Sequence, residues 1–189
     1  NGKSAGQPRV YDLALEIISH GDGRVDEESL RLFVAAYQTV SPLTLGELWA
    51  IPIMLRLALI ENLRRVGVSI ATARMYRNQA QEWANKMIAM AESDAKSLIL
   101  VISDMARSNP PITTPFVAEL ARRLQGHGPA LAMPLTWIEQ RLAESSQTIE
   151  QMVRTENQQQ AAEQVSISNT IGSLRFLGAL DWRLFVESM

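Results

Sequence analysis

The apolar positions of this chain recur at steps of three and four, the period of one face of an α-helix. Val10, Leu13, Ala14, Ile17 and Ile18 open the pattern, and His20-Gly21-Asp22-Gly23 stops it. Asp26, Glu27 and Glu28 then put acids in a first helical turn, where the helix dipole favours them. Leu30, Phe33, Val34 and Tyr37 carry that helix until Ser41-Pro42. The stretch Thr44–Val66 is the most apolar of the chain, and its polar residues Arg56, Glu61, Asn62, Arg64 and Arg65 scatter around the helix axis. A surface helix collects them on one face. This pattern therefore predicts a central helix, Leu45–Val66, wrapped by others and ~33 Å long. Thr44 with Glu47 three residues on has the spacing of a capping box, which sets the helix start. Pro52 lacks an amide donor and predicts a kink or restart.

Beyond Gly67, Ile70, Ala73, Tyr76 or Arg77, Ala80, Trp83, Met87 and Met90 resume the helical spacing, which predicts helix with or without a break at Gly67. Ser93 and Asp94 can cap a further helix, Ala95–Arg107, before Pro110-Pro111. Its LILVI core, Leu98–Ile102, also fits a short buried strand, but the flanking Ala, Lys, Met and Arg favour helix. Thr114 as cap with Pro115 in the first position opens Phe116–Gln125. A loop at Gly126-His127-Gly128-Pro129 precedes a short helix, Pro134–Ser145. Thr148 and Gln151 form a second capping box, opening a helix from Ile149 to about Leu177. Its middle, Arg154–Gln160, is polar all round and is expected to face solvent or bridge between lobes. Gly178 ends it, and Asp181 caps a last helix starting at Trp182. No hairpin turn or strand pair is signalled. The expected fold is all-α, an irregular bundle of about eight helices around Leu45–Val66. Residues 1–9 are expected to be disordered or a cloning remnant. Residues 10–189 are expected to form one helical domain, with two lobes meeting near 92–115 as the other arrangement.

At 189 residues the chain is long enough to bury a real core. Its net charge of −2 argues against general binding to nucleic-acid backbones. It has no cysteine, hence no disulfide and no thiol chemistry. The longest apolar run, Leu48–Leu55, falls well short of the ~20 residues of a membrane helix. The chain lacks an initiating Met and ends within a helical pattern, so a piece of a longer protein is expected.

Candidate chemistry is sparse. His20 and His127 sit in glycine loops without the local ligand set that zinc needs. The acids Asp22, Asp26, Glu27 and Glu28 do not match an EF-hand loop. No phosphate-binding glycine motif and no nucleophile elbow occur. The methionines and tryptophans read as core. Arg64, Arg65, Arg74 and Arg77 make a modest basic patch, best read as a solvated face. The sequence thus assigns no catalytic, cofactor-binding or metal-binding residue. The residues singled out are structural: Thr44, Glu47, Pro52, Arg56, Glu61, Asp181 and Trp182. Arg56 has no acid three or four residues away on either side, so a partner from another segment is expected, and its loss should strand a buried carboxylate. Glu61 is expected to pair with Arg65.

Three stretches carry a resemblance: His20–Val66, Phe116–Glu144 and Gln158–Met189. They resemble the N-terminal region of bacterial cyclic β-1,2-glucan synthases. The resemblance runs from Tyr11 to Met189 with few gaps, and Arg77–Asn109 matches least well. It implies a large inner-membrane enzyme that builds and cyclises a β-1,2-glucan from UDP-glucose, with a divalent metal held by a DxD motif. This chain has no DxD and no QxxRW, so no catalytic residue carries over. The implied piece lies ahead of the first membrane span, on the cytoplasmic side of the bacterial inner membrane. Its expected partners are other domains of the same polypeptide, with no nucleic acid, and with the membrane reached only through downstream segments. Two further readings remain open: an independent helical interaction module, and a glycan-binding domain using Trp49, Trp83, Trp137 and Trp182.

Overall fold

A computed structural model describes Gly6 and residues 8–189. Of the stretch expected to be disordered, residues 1–5 and 7 therefore lie outside the described residues. Among the described residues the fold is all-α, without a strand. The helices are α1 (Arg9–His20), α2 (Glu27–Val40), α3 (Leu45–Asp94), α4 (Leu98–Ser108), α5 (Thr114–Leu124), α6 (Ala132–Ala143), α7 (Ile149–Ala179) and α8 (Trp182–Glu187). Single 3-10 turns, Ala95–Ser97 and Pro129–Leu131, precede α4 and α6.

The chain divides into two compact units, one of Asn1–Val68 with Ala162–Met189 and one of Ser69–Ala161. The stretch 92–115, where a meeting of lobes is expected from sequence, lies wholly within the second unit. The helix expected over Leu45–Val66 extends to Asp94, with no restart at Pro52 and no break at Gly67. Pro52 withholds the donor for the Leu48 carbonyl, but the rungs on either side keep the helix going. Gly67 costs only about 1 kcal/mol of helix propensity, which neighbouring turns absorb.

In the first unit α1, α2, the start of α3, the end of α7 and α8 share one core. Val10, Ile18, Leu30, Val34, Ile51, Leu55, Leu59, Leu177 and Phe185 are its buried centre. In the second unit Ala80, Ala84 and Met87 of α3 pack with α4, α5, α6 and the start of α7 around Met105, Phe116, Leu120 and Ile138. The small Ala80 and Ala84 are fully buried, so neighbouring side chains come up against the α3 backbone there.

Helix starts follow local chemistry. Thr44 N–H donates to Glu47 Oε2 at 2.8 Å and Glu47 N–H donates back to Thr44 Oγ1 at 3.3 Å. Thr148 and Gln151 make the same reciprocal pair, at 3.0 and 3.2 Å. Asp181 Oδ1 accepts from the amides of Arg183 and Leu184 at the head of α8. The start of α5 differs from expectation. Its cap position is Thr113, which makes no side-chain cap bond, while the Thr114 hydroxyl turns to Glu156 at 3.4 Å.

Candidate functional site

The first four turns of α3 have two apolar faces. Leu48, Ile51, Leu55, Ala58 and Leu59 are buried in the first unit's core. Opposite them, Leu45, Trp49, Ile53, Leu57 and Ile60 keep 45–66% of their surface exposed. The helix was expected to be wrapped on all sides, and it is covered on one. Two of the polar residues scattered around the axis find partners locally. Glu61 accepts from Nε and Nη2 of Arg64, each at 2.7 Å, rather than from Arg65. Arg65 donates to Asn62 Oδ1 at 2.8 Å.

Arg56 is half-buried, and its partner does come from another segment, but it is a carbonyl and not a carboxylate. Its Nη2 donates to Leu177 O at 2.9 Å, and Trp182 Nε1 donates to the same oxygen at 3.0 Å. Leu177 lies in the last turn of α7, whose carbonyls have no intrahelical donors. A guanidinium there satisfies one of them and complements the negative end of the helix dipole. Truncating Arg56 thus removes a charge-assisted bond and leaves no stranded acid. Trp182 also stands edge-on to Phe185, with ring centres 5.3 Å apart.

Glu47 does more than cap α3. Arg9 at the head of α1 donates from Nη2 to Glu47 Oε2 at 2.7 Å, and also reaches Ser41 Oγ and the Pro42 carbonyl, each at 2.7 Å. One guanidinium thereby ties α1 to the turn before α3. Its hydrogen bond, followed by those of Thr44, pulls the Glu47 carboxyl down from 4.5 to about 2. A depressed acid stabilises the fold above its unfolded value and loses that contribution as pH falls toward its folded value. The stabilisation is therefore full above about 4.5 and fades toward 2. A Glu47→Gln variant is expected to lie closer to wild type as acid is added through that window. Parallel urea midpoints for the two proteins across the window would refute it.

A second polar cluster pins the turn between α1 and α2. Ser173 Oγ of α7 donates to Gly23 O and accepts from Val25 N–H, both at 2.8 Å. Beside it, buried Asn62 donates to Thr170 Oγ1 at 2.9 Å and to Ser166 Oγ at 3.1 Å.

The second unit carries a cleft of about 590 Å³, lined by groups that include Arg77, Glu119, Arg122, Val153, Glu156 and Asn157. Its two carboxylates are nearly inaccessible, and both are paired. Glu156 accepts from Arg77 Nη1 at 2.6 Å and Gln160 Nε2 at 2.8 Å. Glu119 accepts from Arg122 and from Arg123 Nε at 2.6 Å. Burial pushes the Glu119 carboxyl up, but the two guanidiniums outweigh it and hold the group below its ordinary value. Burial of Glu156 departs from the first of the two expectations for Arg154–Gln160, that it faces solvent; the other members of the stretch are exposed. The sequence signal was Arg77 and Glu156 themselves, two charges on helices far apart in the chain.

Among the described residues no group of three or more His, Cys, Asp or Glu could hold a metal. Trp83 and Trp137 pack on the second unit's core and Trp182 on the first unit's, which leaves Trp49 as the exposed tryptophan. No described helix is long and apolar enough to cross a membrane.

No family profile matches the chain. It is 31% identical over 182 residues to cyclic beta-(1,2)-glucan synthase NdvB of Rhizobium meliloti (strain 1021). The match takes in 96% of this chain and 6% of that protein. Over nearly its whole length, this chain is a relative of one segment of a cyclic β-(1,2)-glucan synthase.

Proposed function

We propose that the chain is a non-catalytic N-terminal helical domain of a cyclic β-(1,2)-glucan synthase, which packs against or helps assemble the enzyme. The observation that carries this reading is the match itself: almost all of this chain aligns with a small part of a much longer synthase. The geometry agrees with a supporting role. The carboxylates of Glu47, Glu119 and Glu156 are each engaged by a guanidinium that joins or stiffens helices. In this reading UDP-glucose and its divalent metal are handled elsewhere in the polypeptide, on the cytoplasmic side of the bacterial inner membrane. The purified chain with UDP-glucose and Mg²⁺ or Mn²⁺ is expected to release no UDP. Turnover above a heat-killed control would overturn the reading, as would a reading frame that carries this segment and no synthase.

An interaction module that acts on its own is the second reading. The observation that favours it is the exposed apolar face of α3.

A further inference from the structure

The exposed face of α3 has a defined shape. At 100° per residue, Leu45, Trp49, Ile53, Leu57 and Ile60 fall within an arc of about 120°. They run for ~22 Å along a helix ~10 Å across. Gly46 lies inside the arc, and a Cβ built there would meet nothing, so the stripe has a notch that brings an approaching side chain close to the backbone. Arg56 falls in the same arc, but its guanidinium turns away to the Leu177 carbonyl, so the five apolar side chains remain neighbours along the face, unlike apolar side chains scattered singly over a surface.

The size of the stripe selects the occupant. Its footprint of about 220 Å² is far below the ~800 Å² per partner that holds two free proteins together. A face this small suffices when the partner is tethered, because a linker supplies an effective concentration in the millimolar range. The similar synthase has most of its polypeptide outside the matched segment. We infer that the Leu45–Ile60 face of α3 is the docking surface for an apolar helix from another part of the same synthase polypeptide. The inference rests on reading this chain as a synthase domain. It adds the place of contact: side chains of the incoming helix interdigitate with Trp49, Ile53 and Leu57, and Gly46 receives one of them.

The chain has no cysteine, which makes introduced thiols direct probes of this segment. Ile53→Cys, Leu57→Cys and, as control, Val40→Cys are labelled with a maleimide and read by mass spectrometry of their peptides. Val40 is 87% exposed on α2. Each is made in the 189-residue chain and in the full-length synthase that contains it. In the full-length protein, labelling at 53 and 57 is expected to be at least roughly tenfold slower than in the chain alone, the factor given by a modest contact free energy. The control should label equally fast in both. Equal rates at 53 in the two proteins overturn the docking inference and leave the domain reading standing. Protection of 53 in the isolated chain that grows with its concentration assigns the face to a second copy. Protection of the isolated chain only on phosphatidylglycerol vesicles assigns it to lipid. Either result overturns the inference. A full-length polypeptide that makes no β-(1,2)-glucan takes the domain reading down, and the inference with it.

Discussion

Gly23→Ala is expected to destabilise the first unit by about 2–5 kcal/mol. Two costs add. Gly23 has φ +81°, where a Cβ crowds its own backbone at roughly 1–2 kcal/mol. The Cβ would also stand 2.3 Å from Thr170 Oγ1 and 3.2 Å from the Ser166 carbonyl. Overpacking of this kind costs about 1–3 kcal/mol. The neighbours have little room to give way. Thr170 Oγ1 is held by Asn62 and donates to Ser166 O at 2.7 Å, and Ser173 grips the turn on both sides of Arg24. Gly46→Ala is the matched control: its Cβ meets nothing, and alanine gains up to about 1 kcal/mol of helix propensity. Urea unfolding of both variants beside wild type reads the contrast. A Gly23→Ala midpoint as high as that of Gly46→Ala would show that the turn is not pinned.

The other large effect is expected at the buried pair of the second unit. The Glu156 side chain is only 5% exposed, and Arg77 supplies its one cationic partner among the described residues. Arg77→Leu leaves the carboxylate with a Gln160 amide at 2.8 Å and a Thr114 hydroxyl at 3.4 Å. Removing one partner of a buried ion pair costs about 3–5 kcal/mol, since the other charge stays out of water. The pair is worth much less than this when removed whole, because an apolar replacement asks for no hydrogen bonds. Arg77→Leu combined with Glu156→Leu should therefore be more stable than the sum of the single losses predicts. The coupling expected for such neighbours is about 0.5–3 kcal/mol. Strict additivity in urea would mean that the two charges do not depend on each other.

Much of the local structure could be read along the chain. The three-and-four spacing of apolar residues gave helices, and Thr44, Thr148 and Asp181 each stood three or fewer residues before the amides they now accept from. Such features involve atoms a few residues apart, so one stretch of sequence contains the whole interaction. The restart offered at Pro52, and the break left open at Gly67, do not occur for the opposite reason. A single unfavourable residue announces a break locally, while the packing of a 50-residue helix on either side overrides it.

The sequence by itself determined that this chain is helical, where most of its helices start, and that one segment is apolar on more than one face. Only the tertiary structure decided which face of α3 is covered. Leu55 and Ile53 are equally apolar, and one is fully buried while the other is half exposed. Burial depends on which distant helices arrive, and periodicity does not record that. The tertiary structure likewise decided that Arg56 meets the end of α7, that Arg77 meets Glu156 across 79 positions, and that Gly23 lies against Thr170. In each case the two groups are far apart in sequence; Arg77, Glu156 and Gly23 have satisfactory local readings as surface residues or a loop glycine, and for Arg56 the sequence called for a distant partner without naming it. Only the fold brings them close enough for charge, hydrogen bonding and steric exclusion to act between them.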